Sequence, residues 1–193
     1  MLTGSGNRST AGKRSLGIRP ALAAQRARIV AAYNYTDDQG KLLYQVCRTE
    51  AKDFPQCYPN GRGGWTWKKH PHQVLYRLPE VVEAAIIFVP EGEKDCESLR
   101  DRGFVATTNA GGAKAPWLPS FTEALRGREV ILIPDADDPG RKRVIRIARA
   151  LLGHAADVIV FVPKGAKDIT DWFDQGHSEV ELIEQVERGP VMK

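Results

Sequence analysis

Three carboxylates are spaced to do chemistry. Glu91 sits in Pro90-Glu91-Gly92-Glu93-Lys94-Asp95, and Asp135 and Asp137 sit in Pro134-Asp135-Ala136-Asp137-Asp138-Pro139-Gly140. In an extended segment, residues two apart point the same way, so Asp135 and Asp137 are expected to face one side. Carboxylates held that close repel unless a hard cation sits among them, and Mg²⁺ bound by a few carboxylates plus phosphate oxygens is a common arrangement. Taken alone, Asp137-Asp138-Pro139-Gly140 is an ordinary turn sequence. An EF-hand loop is excluded, because Arg146 stands where its closing glutamate belongs.

The elements around these residues decide between a turn and a site. Ile86–Val89, Val130–Ile133 and Val158–Val162 are apolar runs, read as buried strands. Amphipathic helices are expected over Lys94–Arg102 and Arg141–Leu152, and a last helix opens at Ser178 with Glu181 as a capping box. A short helix ends near Arg126, and a further strand is expected over Phe104–Thr107. Apolar strands alternating with such helices predict an α/β fold, a parallel sheet with helices on both faces. Ligands bind such sheets beyond the carboxyl ends of the strands. The segments carrying Glu91, Asp135 and Asp168 all follow strands, so all fall on that edge.

The front of the chain differs. Ala32–Thr36, the turn residues Asp37-Asp38-Gln39-Gly40 and Lys41–Arg48 predict a β-hairpin. Short strands are expected at Trp65–Lys68 and Val74–Leu78. The division predicted is a basic arm over 1–28, with a short helix over Pro20–Ile29, a small β-rich domain over 29–80 and the α/β domain over 81–193.

Composition sets the outer bounds. At 193 residues, 42% hydrophobic and 27% charged, the chain can bury a core without disulfides. No apolar run approaches the roughly 20 residues of a membrane span, and no secretory signal opens the sequence. Three sparse cysteines fit a reducing compartment, so a cytoplasmic location is expected. The net charge of +4 hides an asymmetry. Residues 1–83 hold 13 basic against 6 acidic side chains, and residues 84–193 hold 15 against 18. A basic front suits nucleic-acid phosphate. Cys47 and Cys57, with His70 and His72 after them, lack the spacing of a zinc module, so no zinc is expected. Trp65 and Trp67 could stack on bases beside Lys68 and Lys69, but half-buried sheet packing is the commoner use of such a pair.

Taken together, Glu91-Gly92-Glu93-Lys94-Asp95, Asp135-Ala136-Asp137 and Gly140-Arg141-Lys142 resemble the TOPRIM domain of DNA primases, topoisomerases, small nucleases and recombination proteins. The match spans about residues 84 to 175. Tyr33–Val46, Lys52–Gln56, Gly63-Gly64-Trp65, Val74–Pro79 and Lys167–Phe173 are similar to the corresponding parts of phage- and plasmid-type primases and primase-helicases. The resemblance implies a Rossmann-like TOPRIM sheet and Mg²⁺-dependent (or Mn²⁺-dependent) nucleotidyl transfer in priming DNA replication. It makes Glu91 the catalytic acid or base and Asp135 and Asp137 the metal ligands. Asp95 and Asp138 become supports or extra ligands, and Gly92, Lys94, Gly140, Arg141 and Lys142 phosphate contacts. The implied partners are single-stranded DNA template and nucleotides, with a helicase or zinc-binding primase subunit, and no membrane. Relatives of this type carry a zinc module before this region and often a helicase after it. Neither pattern occurs in these 193 residues, so a piece of a longer protein, a minimal protein working with partners and a decayed relative are the expectations. Two other functions use the same residues or surface: a TOPRIM nuclease, and a non-catalytic nucleic-acid-binding accessory module.

Overall fold

The computed structural model describes residues 28–192. The basic arm and its expected helix lie outside the described residues, apart from their last positions. The hairpin forms as expected. β1 (Ile29–Thr36) pairs antiparallel with β2 (Leu42–Thr49) through the Asp37–Gly40 turn, where the Asp37 carboxylate accepts from the Gln39 and Lys41 amides. β3 (Gln56–Pro59) and β4 (Trp65–Thr66) complete a four-stranded antiparallel sheet in the order β1-β2-β3-β4.

β4 is only two residues long, and Trp65 is left exposed. No strand forms over Val74–Leu78. That segment makes one bridge, Leu75 to Asn109, and then turns at Arg77, whose φ is 53°, into α1 (Leu78–Glu83). Pro79 explains the change, since proline fits the first turn of a helix but cannot donate to a ladder. Arg77 joins Glu97, Glu80 and Arg100 in a charge network tying α1 to the next helix, with two donors on Glu97 at 2.8 and 2.9 Å.

The second sheet carries the α/β architecture. β5 (Ile86–Val89), β6 (Glu129–Leu132) and β7 (Asp157–Val160) run parallel in that order, and β8 (Val191–Met192) closes the edge antiparallel to β7. The strand expected at Phe104–Thr107 shrinks to a parallel bridge beside β5. There the Phe88 amide donates to Val105 and the Phe88 carbonyl accepts from Thr107. Helices cover both faces, as the apolar runs require. α3 (Pro119–Ala124) and α4 (Asp138–Leu151) pack on the face of Ile87, Val89, Val130, Leu132 and Val158. α2 (Glu93–Arg100), α5 (Ile169–Asp174) and α6 (Glu179–Glu187) pack on the face of Phe88, Ile131, Ile133 and Ile159. The Ser178–Glu181 capping box opens α6 as expected.

The two sheets share a core across the boundary expected near residue 80. Tyr35, Tyr44, Val46 and Tyr76 from the front lie in one buried cluster with Phe88, Leu99, Ile131 and Trp172 from the back. Tyr35 stacks on Tyr44 at 4.6 Å. Its hydroxyl donates to Glu93 at 2.8 Å, and that of Tyr76 donates to Glu97 at 2.8 Å. Cys47 and Cys57 are buried free thiols, with sulfurs 3.7 Å apart on neighbouring strands.

Candidate active site

Between the carboxyl edge of the parallel sheet and the front sheet lies a cleft of about 840 Å³. One wall carries Glu91, Asp95, Asp135 and Asp168, and the other carries Tyr33, Arg48, Lys52 and Phe54. Gly111, Gly112 and Lys114, from a glycine-rich loop over Asn109–Lys114, close one side. An acidic wall thus faces a basic and aromatic one.

Glu91 follows β5 directly, and its carbonyl accepts from the Thr108 hydroxyl at 2.8 Å. The glycine-rich loop packs beside its carboxylate, with the position of a Gly112 Cβ 3.8 Å from Oε1. Its other oxygen, Oε2, is buried without a partner. Burial pushes the Glu91 carboxyl up, against the opposing pull of the Arg143 guanidinium. Gly92 caps α2 in extended backbone, and Lys94 is exposed at the cleft. Asp95 is 8% exposed and accepts from the Thr170 hydroxyl at 2.6 Å, which orients it while burial raises its pKa.

Asp135 follows β6, half-buried in the cleft wall. Burial and then the neighbouring charges of Glu91, Asp95, Asp168 and Asp137 push its carboxyl up to about 7. α4 starts at Asp138, three residues earlier than expected, and Asp137 is its N-cap, accepting from the Gly140 amide at 2.7 Å. Asp137 is exposed, outside the residues lining the cleft, although its charge is still felt by Glu91 and Asp135. Asp138 turns outward to pair with Arg141. Arg141 also reaches the Ala136 carbonyl, and Lys142 lies along an outer basic face of α4 with Ile145, Arg146 and Arg149. Neither Arg141 nor Lys142 lines the cleft. Gly140 is required where it stands, since a Cβ there would meet the Asp135 carbonyl oxygen at 2.8 Å and its nitrogen at 3.0 Å.

Further residues join the site. Asp168 caps α5 and lies within electrostatic reach of Asp95 and Asp135. Its place after β7 was the available signal. Arg48, Lys52 and Phe54 come from the hairpin and the loop after it, with the Arg48 guanidinium 6.0 Å from the Phe54 ring centre. Lys52 and Phe54 fall in the Lys52–Gln56 segment that resembles primases, whereas no local pattern places Arg48 here and tertiary folding alone brings it to the cleft.

The donor set suits a hard divalent cation. Asp135 is raised by burial and then by four neighbouring carboxylates, and Glu91 has an orphaned oxygen; a cation would offset the carboxylate charge and could engage that oxygen. Among the described residues no three carboxylate, histidine or cysteine groups close on one point as a finished metal site does. Mg²⁺ needs only one or two protein carboxylates and keeps several waters, so the two observations are compatible.

Solved structures with a similar fold include DNA primases. The primase fragment of the bacteriophage T7 primase-helicase protein is 26% identical, with a TM-score of 0.58 over 80% of this chain and 61% of that one. The Aquifex aeolicus primase, covering its zinc-binding and RNA polymerase domains, is 19% identical at TM-score 0.62, over 83% and 40%. A DnaG primase catalytic domain bound to single-stranded DNA is 18% identical at TM-score 0.59, over 82% and 52%. The chain therefore spans less than two thirds of each of these structures. No protein-family model and no curated protein matches the sequence. The fold is that of the primase catalytic core, and the resemblance read from the sequence motifs holds.

Proposed function

We propose that this chain performs Mg²⁺-dependent nucleotidyl transfer on nucleic acid, and that its reaction is the synthesis of short RNA primers on a single-stranded DNA template. One observation carries the reading: Glu91 and Asp135, after neighbouring parallel strands, meet in a cleft whose opposite wall offers Arg48, Lys52 and an aromatic pair. The basic wall suits a phosphate backbone and the aromatic rings suit bases. The primase fold of the T7 and DnaG structures supports the same reading.

Phosphoryl transfer is catalysed mainly by positioning and charge stabilisation. A Mg²⁺ ion held by Asp135, with Asp137 at the rim, would neutralise charge building on the transferred phosphoryl group. Glu91, its carboxyl raised by burial, is suited to accept the proton of the attacking hydroxyl. Asp95, fixed by Thr170, helps hold the acidic wall in place. Gly92 lets backbone come close to a phosphate at the start of α2, and Lys94 adds charge there. Lys114 and Lys52 flank the path of a strand through the cleft. Single-stranded DNA, ribonucleotides and a helicase-type or zinc-binding partner are the partners this reaction calls for.

The test is primer synthesis on single-stranded template with Mg²⁺ and ribonucleotides. Glu91→Gln and Asp135→Asn should each abolish the product while the circular dichroism spectrum stays unchanged. Full synthesis by both variants would refute the reading. Shortening of labelled DNA or RNA without ribonucleotides would instead assign the site to a nuclease.

A further inference from the structure

Two thiols sit side by side behind the basic and aromatic wall. Cys47 of β2 and Cys57 of β3 are each 2% exposed, and their sulfurs are 3.7 Å apart. Cys57 is in register with Gln45, and the Cys47 amide donates to the Pro55 carbonyl, so the two cysteines share one face of the sheet, offset by two residues. Tyr44 and Val46 alternate with them and point into the shared core, which puts the thiols on the reverse face. A disulfide needs the sulfurs at about 2.05 Å, roughly 1.7 Å closer than they stand.

The segment joining the two cysteines carries Arg48, Lys52 and Phe54, which line the cleft. It is tightly wound. The Lys52 amide donates to Thr49 at 2.9 Å, the Thr49 amide donates to Asp53 at 3.0 Å, and the Asp53 amide donates to the Thr49 hydroxyl at 3.1 Å. Lys52 itself has a φ of 63°. A turn so tied passes a movement of β3 on to Lys52 and Phe54 instead of absorbing it. β3 has room to move, because its register with β2 covers two residue pairs and its outer neighbour β4 is two residues long. Burial raises the Cys47 thiol and pushes that of Cys57 up to about 12, so the closed sheet protects both. Opening of this short edge admits a small oxidant.

We propose that Cys47 and Cys57 are a disulfide-forming site, closed by peroxide and reopened by thiol reductants, and that closing it shifts the cleft wall and weakens its hold on single-stranded nucleic acid. Hydrogen peroxide passes one oxygen to the first thiol, giving a sulfenic acid and one water. The second sulfur then attacks the first, the S–S bond forms, the S–O bond breaks, and the hydroxyl leaves with the second thiol's proton as another water. The two cysteines lose two electrons and the peroxide gains two. Cys96, fully buried in the shared core, stays reduced. The effect on binding rests on the nucleic-acid reading above, whereas the bridge itself does not.

Peptide mapping of the full chain without reduction, before and after hydrogen peroxide, tests the bridge. Trypsin cuts after Arg48 and Lys52, so a bridge joins Leu42–Arg48 to Asp53–Arg62 in one species two hydrogens lighter than the sum of the two peptides. Cys96 should remain open to alkylation after unfolding. Oxidised chain should bind labelled single-stranded DNA about threefold more weakly or worse, with a salt slope lower by about 1, and dithiothreitol should restore both. Cys57→Ala should keep its affinity under peroxide, and Cys96→Ala should respond as the wild type does. Absence of the Cys47–Cys57 bridge after peroxide overturns the site, and a bridge that leaves affinity and slope unchanged overturns its effect on the wall. If Cys57→Ala does not fold, the wild type decides, and a loss of binding that dithiothreitol does not reverse overturns the proposal. A reduced chain that binds no single-stranded DNA would instead overturn the nucleic-acid reading, and the peptide map would still judge the bridge.

Discussion

Replacing Asp135 with asparagine should stabilise the metal-free protein, and only above acidic pH. The Asp135 carboxyl, ordinarily near 3.8, is pushed up to about 7 by burial and the charges of Glu91, Asp95, Asp168 and Asp137. A group whose pKa rises on folding stabilises the fold fully below its unfolded pKa and loses that contribution as pH rises through the folded value. Here the loss runs from about pH 4 to about pH 7. A rise of that size corresponds to about 4 kcal/mol. Because the carboxyl remains half in solvent, screening reduces this to about 1–2 kcal/mol. For a chain of this length that is about 3–6 °C in Tm. Thermal melts with a chelator at pH 4.5, 6 and 8 would measure it. Asp135→Asn should match the wild type at pH 4.5 and exceed it at pH 8. Mg²⁺ should raise the wild-type Tm at pH 8 and leave the variant nearly unmoved, since a ligand stabilises only the state it binds. A variant less stable than wild type at pH 8, or an equal gain at pH 4.5, would refute the electrostatic account of the acidic wall.

Three further outcomes follow from the geometry. Gly140→Ala should cut activity at least about tenfold in the primer assay, because its Cβ displaces the Asp135 backbone 2.8 Å away. Tyr35→Phe should cost about 1–3 kcal/mol in urea unfolding, because it leaves buried Glu93 without its tyrosine donor. Arg48→Ala with Lys52→Ala should weaken single-stranded DNA binding at all sequences and reduce the salt slope by about 1–2, and an unchanged slope would show that the basic wall makes no phosphate contacts.

The parts of the fold that could be read in advance are those where local pattern and burial agree. β5, β6 and β7 are apolar along their whole length because both faces are covered, and such runs are plain in a sequence. α6 carries its own capping box. The segment at Val74–Leu78 misled because its alternation looked like a strand while Pro79 was opening a helix. The start of α4 was set too late for a similar reason. Asp137 followed by Pro139 is a cap and a first turn, and α4 begins where the turn-like sequence suggested a loop. That shift makes Asp137 the N-cap of α4. Only its position within the apolar stripe of α4 marks Arg143 as buried, since arginine side chains ordinarily face solvent. The front-wall residues were illegible for a deeper reason, since only the tertiary packing of two sheets makes Arg48 and Phe54 neighbours of Glu91.

The seam between the two sheets bears on how the cleft handles a strand. Its walls are joined by a shared hydrophobic core and by Tyr35–Glu93, Tyr76–Glu97 and Arg77–Glu97 bonds. Widening the gap would mean breaking those buried hydrogen bonds and contacts, so opening the cleft is coupled to loss of the core itself. The same junction makes the walls one cooperative unit, which should melt in a single calorimetric transition.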